Sequence, residues 1–338
     1  MSENNPQPKP PAGDPKVPPA RTLKELLGLA SGSAPALLAQ EDAGLADLLP
    51  YPFLAIVGQE EMKLALLLAV INPAVGGVLL VGPRGTGKTT AVRSLVDLLP
   101  VVERSTCHYG CLPEDIETGG MDAVCPDCAR KYGEGAPLTR TDRVRLVELP
   151  LNARLEDVVG GLDEVAAVNE RMRLKRGILA SADRNVLFID EVNLLKDEIA
   201  DAILDAAAQG TYTVRRGAIA ATYRAGFTLV GSMNPEEGRL RPQIMDRFGL
   251  RVLVRGLEND AERLQAYQRV RVYREHPRRV IAGYAHDTSQ AREEIQAARN
   301  LLPSVTLPAA VAQAGIRLIQ HLQIPSLRAE ITLFEAAR

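Results

Sequence analysis

One octapeptide restricts what this chain can become more than any other stretch. It is Gly82-Pro83-Arg84-Gly85-Thr86-Gly87-Lys88-Thr89, which fits G-x-x-x-x-G-K-[ST]. It follows the continuous apolar run Val78-Leu79-Leu80-Val81, as expected of a strand buried on both faces, and precedes a helix predicted over Thr89 to Leu99. Strand, glycine loop and helix in that order put the loop where backbone N–H groups and the positive end of the helix dipole face an anion. The eight residues are therefore expected to cradle nucleotide phosphates. The Lys88 ammonium would reach the β- and γ-phosphates, and the Thr89 hydroxyl would ligate Mg²⁺.

The rest of the pattern supplies a frame for that loop. Apolar strands are predicted at about Val144 to Leu149, Val186 to Ile189 and Phe227 to Gly231, alternating with helices such as Glu60 to Ile71 and Glu198 to Gln209. Such alternation predicts an α/β fold with a mainly parallel sheet flanked by helices. The strand at Val186 ends in Asp190-Glu191. On a strand beside the loop-bearing one, Asp190 would approach Mg²⁺ and Glu191 would polarise an attacking water; a solvated turn is the plainer alternative. Ser232-Met233-Asn234 follows the next strand, so Asn234 either orients that water or starts an Asn-Pro turn. Arg241 and Arg247 flank a short helical stretch. Each is read either as a surface ion pair with Asp246 or Glu237, or as an arginine finger reaching a neighbouring subunit's nucleotide.

Domain boundaries come from composition. Residues 1–20 are rich in Pro, Asn, Gln, Lys and Gly, which predicts a disordered tail, and 21–50 carry a broken amphipathic pattern read as a short helical extension. The core is expected over 51–256. Over 257–338 the sequence becomes charged and helix-periodic, predicting a helical lid whose last helix, from Leu327, stops without a glycine cap, as in a truncated chain. A formal net charge of −2 gives no reason to expect a nucleic acid partner. No apolar run approaches the roughly 18 residues of a membrane span, so a cytoplasmic protein is expected.

All four cysteines fall in an insertion over about 104–142, as Cys107-x₃-Cys111-x₁₃-Cys125-x₂-Cys128. Paired spacing of this kind suits a four-thiolate zinc site, with His108 as an alternative ligand; reduced thiols or a thiol-disulfide switch are the other readings. His276, His286 and His321 have no paired ligands nearby and are read as surface residues.

Taken together, Gly160-Gly161, Asp190-Glu191-Val192-Asn193-Leu194-Leu195, Gly231-Ser232-Met233-Asn234-Pro235-Glu236-Glu237-Gly238 and Leu240-Arg241-Pro242-Gln243 resemble the ATPase (I) subunit of magnesium chelatase, an AAA+ family. The likeness runs from about Pro52 to the end. It implies an AAA+ P-loop core with a five-stranded sheet, Asp190 and Glu191 as the Walker B pair, Asn234 as sensor 1, Arg247 as the arginine finger and Arg328 as the sensor-2 arginine of the lid. It also implies two insertions, for which Glu156 to Leu179 and a hairpin from Thr211 to Arg224, turning near Arg216-Gly217, are the candidates. The function so implied is ATP hydrolysis by a homo-oligomeric ring, a hexamer. With D and H subunits it drives Mg²⁺ into protoporphyrin IX, the nitrogen–metal ligase step of chlorophyll and bacteriochlorophyll biosynthesis. Porphyrin would sit on the H subunit, with no binding residue here. A MoxR-type chaperone, a cobaltochelatase ATPase and a zinc-bearing DNA-remodelling ATPase gripping phosphates with its hairpin are the rival readings.

Overall fold

Each apolar run expected to be a parallel strand is one, and the reason is visible in its burial. The computed structural model describes residues 49–162, 174–217 and 219–338. The tail expected over 1–20 and the extension over 21–50 fall outside these but for Leu49 and Pro50, as do Arg171, Met172 and Arg173 of the first insertion.

The chain enters through α1 (Glu60–Ile71), whose first turn is acidic and which ends at Asn72 before Pro73. There the Asn72 carbonyl oxygen of the side chain accepts the Ala74 N–H at 3.1 Å. Next come β1 (Val78–Val81), the glycine loop and α2 (Lys88–Ser94). The cysteine insertion follows: β2 (Val101–Ser105), α3 (Pro113–Gly119), α4 (Pro126–Gly133) and β3 (Thr139–Arg143). Its β2 and β3 pair antiparallel as the stalk of a small module.

Then β4 (Leu146–Glu148), α5 (Leu155–Val159), α6 (Ile178–Ser181), β5 (Val186–Ile189) and α7 (Asp197–Gln209) lead to the second insertion. That is the predicted hairpin, β6 (Thr211–Arg216) and β7 (Ile219–Arg224), with Gly217 in the left-handed region where the turn requires it. After β8 (Thr228–Met233), α8 (Pro242–Met245) and β9 (Leu250–Leu253), four helices complete the chain: α9 (Asp260–Glu275), α10 (Pro277–Leu301), α11 (Ala309–His321) and α12 (Leu327–Ala337). Helix α10 opens with Pro277 at its first helical position, where the missing N–H costs nothing.

The main sheet has the order β4-β5-β8-β1-β9 with every pair parallel. Side chains alternate between its faces as strand geometry requires. Val78, Leu80, Val186, Phe188 and Val230 pack towards α1, α2 and Ile295 of α10. Leu79, Leu187, Ile189 and Leu229 pack towards α7 and Phe248. Two buried faces explain why β1, β5 and β8 read as unbroken apolar runs. Among the described residues no single helix is long and apolar enough to cross a membrane.

One expectation about order is corrected. The strand bearing Asp190 is not beside the loop-bearing strand; β8 lies between them. Periodicity identifies strands but carries nothing about which of them pair.

Candidate functional site

The carboxyl ends of β1, β8 and β5 stand side by side, so the three sequence motifs converge. The loop after β1 departs from the sheet at Gly82, whose N–H donates to the Met233 carbonyl at 3.1 Å. A Cβ here would lie 2.1 Å from the Val254 carbonyl oxygen, so no other residue fits without moving backbone. Gly85 and Gly87 adopt φ of 77° and 86°, and nothing lies within 4 Å of the side where a Cβ would stand. Positive φ at both glycines thus leaves that side of the loop open.

Lys88 opens α2 and is 8% exposed. Its ammonium donates to the Gly82 and Pro83 carbonyls, 2.7 Å to each. Burial lowers its pKa, and the nearby carboxylates of Asp190, Glu237 and Glu191 partly oppose that shift. The Thr89 hydroxyl donates to Asp190, 3.0 Å from Oδ2 and 3.2 Å from Oδ1. A hydroxyl and a carboxylate meeting beside a lysine form the hard-oxygen donor set that Mg²⁺ takes, so the residues fit that ion.

Glu191, next along, sits at φ 51°, ψ 52°, a left-handed conformation uncommon outside glycine and characteristic of functional turns. Its backbone N–H donates to Ser232 Oγ at 3.2 Å, and that hydroxyl in turn donates to Asp190 Oδ1. Ser232 therefore aligns both acids. Its spacing in sequence assigns it no part; its place on β8, between the strands that carry the two motifs, does.

Asn234 is 4% exposed and caps the turn Pro235–Glu237, its side-chain oxygen accepting the Glu236 N–H at 3.2 Å. Its amide nitrogen donates to Glu237 Oε1 at 3.0 Å. The Asn-Pro turn is therefore present, and it buries the Asn234 side chain at the carboxyl end of β8. Glu237 also pairs with Arg84, which lies 3.6 Å from Glu191 Oε1 as well. The Asn234 amide foremost, then Arg84 and Lys88, hold the Glu237 carboxyl below its usual range. Arg84, Lys88, Thr89, Asp190, Ser232 and Asn234 line a cavity of about 360 Å³. A second cavity of about 510 Å³ shares Gly85, Thr86 and Gly87 and continues past Ile56, Val57, Leu257 and Val270. The cleft is charged at one end and apolar at the other, the division a nucleotide requires.

Two arginines lie elsewhere. Neither Arg247 nor Arg328 lines these cavities. Arg328 Nη1 donates to the Asp246 carbonyl at 2.6 Å and lies 3.5 Å from its carboxylate, which brings it next to Arg247 in the chain. Of the two readings of Arg241, an ion pair or an arginine finger, the structure shows an ion pair, made with Asp197 and Asp201 of α7 at 3.1 and 3.2 Å rather than with Asp246 or Glu237.

The four cysteines form a separate cluster, with every Sγ within 4.8 Å of the others and none in a disulfide. His108 is not among the clustered donors. Its Nε2 lies 3.1 Å from the Leu174 carbonyl and 3.4 Å from the Tyr223 hydroxyl. A hydrogen bond from the Cys111 thiol, above all, lowers Cys107 to about 3, and burial first pushes Cys128 up to about 12.

Comparison with known proteins agrees with this geometry. The MCM P-loop domain family matches residues 162–257. The chain is 42% identical over 290 residues to a magnesium-chelatase subunit ChlI homolog of Methanocaldococcus jannaschii, covering 85% of this chain and 78% of that one. It is 40% identical to the magnesium-chelatase 38 kDa subunit of Acidiphilium rubrum, covering 85% and 83%. A solved structure of the complex between subunits BchI and BchD of magnesium chelatase contains a similar chain, with a TM-score of 0.51 and 34% identity over 85% of this chain and 94% of that one.

Proposed function

The chain belongs to the magnesium-chelatase I-subunit family of P-loop ATPases, and from that premise we propose that it is the motor subunit coupling ATP hydrolysis to insertion of Mg²⁺ into protoporphyrin IX with D and H subunits. The observation that carries this reading is identity to named magnesium-chelatase subunits sustained over 85% of the chain.

Each nucleotide-site residue then has a task. The loop amides after Pro83 and the Lys88 ammonium hold the β- and γ-phosphates. Thr89 and Asp190 hold Mg²⁺, which when bound offsets charge on the transferring phosphoryl group. Glu191 accepts a proton from the attacking water, and Asn234 orients that water. Arg84 ties Glu191 and Glu237 together at the loop. The base and ribose occupy the apolar end near Ile56, Val57 and Leu257.

The placement of Arg247 and Arg328 beside Asp246, outside the cleft of their own chain, supports a role for both in a neighbouring subunit's nucleotide. The sensor-2 part expected of Arg328 would then be played at that neighbour's γ-phosphate. A ring, here a hexamer, would bring the pair to the next cleft. The C-terminal helices, proposed as the lid, leave Leu318, Leu322, Ile324, Leu327 and Ile331 exposed, apolar surface of the kind a neighbouring subunit covers. The assembly is taken to be cytoplasmic, with porphyrin held by the H subunit and no part for nucleic acid.

Reconstitution tests the reading. The full chain with D and H subunits, protoporphyrin IX, Mg²⁺ and ATP should yield magnesium protoporphyrin, followed by its fluorescence. ATP turnover without that product would remove the chelatase function and leave the ATPase intact. The chemistry so assigned uses ATP and Mg²⁺ and leaves the four clustered thiols without a part in it.

A further inference from the structure

The module between β2 and β3 is too small to hold itself together by burial. Its apolar centre consists of Cys111, Cys128 and Leu138, with Tyr109, Ile116 and Val124 packed around them, and α3 buries no residue at all. Helices as short as α3 and α4 do not persist on propensity alone, and modules with so little core are held by disulfides or a metal. No disulfide joins the four cysteines, and their clustering suits a metal.

Their geometry is that of a closed tetrahedral site. Zinc with four Zn–S bonds of about 2.3 Å needs sulfurs about 3.8 Å apart, and the four Sγ atoms already lie within 4.8 Å of one another. The backbone supports thiolates at these positions. Tyr109 and Cys111 N–H groups donate to Cys107 Sγ at 3.3 and 3.2 Å, and the Cys125 N–H donates to Cys111 Sγ at 3.3 Å. Such bonds to the ligand atoms orient them and delocalise their charge. Cys125 precedes Pro126 at the start of α4, and Cys128 projects from that helix's first turn into the buried centre. Four protein ligands leave no open position, so the metal would be structural.

The module it would stiffen is docked on the hairpin. The Arg224 N–H donates to the Tyr109 carbonyl at 3.1 Å, and the Arg224 guanidinium pairs with Asp115, which itself accepts the Leu112 N–H at 2.8 Å. The Tyr109 and Tyr223 rings lie 5.6 Å apart. Gly110, at φ 89°, lets this approach happen, since a Cβ there would be 2.9 Å from Arg224 Cβ. Directly beyond Arg224 the chain runs into β8, which carries Ser232 at the nucleotide site.

We propose that Cys107, Cys111, Cys125 and Cys128 bind one Zn²⁺ as a closed four-thiolate centre, and that this ion holds the Tyr109–Asp115 segment against the base of the β6–β7 hairpin. Binding displaces the thiol protons to solvent, with no change of oxidation state. The proposal stands apart from the ATPase reading, and its readouts are independent of turnover.

The full chain, purified without chelator, should carry about one zinc per chain by elemental mass spectrometry. Exchange for Co²⁺ should give the thiolate-to-cobalt charge transfer and intense visible bands of a tetrahedral site. Cys128→Ser should lose at least tenfold in metal affinity. Should that variant fail to fold, metal content and cobalt spectrum of the unaltered chain still decide the matter. Removing the metal should raise amide exchange at Arg224 at least tenfold. Four thiols that react freely in the native chain with no cobalt bands, or iron in place of zinc, would overturn the assignment. Unchanged Arg224 protection in metal-free protein would overturn the bracing role.

Discussion

Between Asp190 and the backbone of Glu191 stands Ser232, donating its hydroxyl to the carboxylate and accepting the Glu191 amide 3.2 Å away. It is 1% exposed, so water cannot replace it without a cavity. Ser232→Ala should lower kcat for ATP about tenfold, the equivalent of about 1.4 kcal/mol, with KM changed less than about twofold. Steady-state kinetics on the assembled protein checks this, and an unaltered kcat would reduce Ser232 to packing. At this scale much was legible. Lys88, Thr89, Asp190 and Asn234 announce themselves as candidates because phosphate and Mg²⁺ chemistry admits few residue types at few spacings. Ser232 does not, since a serine becomes informative only when the acid it bonds is known. Glu237 and Arg84 pair across more than a hundred residues of sequence for the same reason.

Among elements, the link from α8 to β9 couples the sheet to the segment bearing Arg247. Phe248 fills the space opposite Gly231, where a Cβ would come within 2.8 Å of its ring, and packs over Leu79. Phe248→Ala should destabilise the protein by about 3–5 kcal/mol, read as a shift of the urea midpoint. A change under about 1 kcal/mol would mean that neighbouring side chains collapse into the gap. Strands β1, β5 and β8 were legible because burial on both faces erases polar positions from them. The edge strand β9 was not singled out, since Arg251 interrupts its apolar run. The short helices of the cysteine module were not legible for another reason: they have little periodicity of their own.

At the scale of the whole molecule, the candidate cleft and two of the candidate arginines stand apart. Lys88, Asp190, Glu191 and Asn234 face one cleft, and Arg247 with Arg328 lies outside it. If the arginines serve the next subunit, Glu191→Gln and Arg247→Ala, each nearly inactive alone, should recover ATPase activity on mixing. Subunit interfaces joining an intact Glu191 to a neighbour's intact Arg247 would then exist. Turnover across mixing ratios checks this, and no recovery in rings shown to contain both chains would place the finger in its own subunit's site. From residue order alone follow the P-loop, the Asp-Glu strand end, the Asn-Pro turn, the hairpin and the clustered thiols. These depend on local spacing and on the narrow chemistry of phosphate, Mg²⁺ and thiolate. Tertiary structure alone decided that β8 runs between β1 and β5, that Ser232 thereby joins the two acids, and that Arg328 meets Asp246. Strand order and long-range pairing are settled by how faces bury against one another, and no window of sequence contains that information.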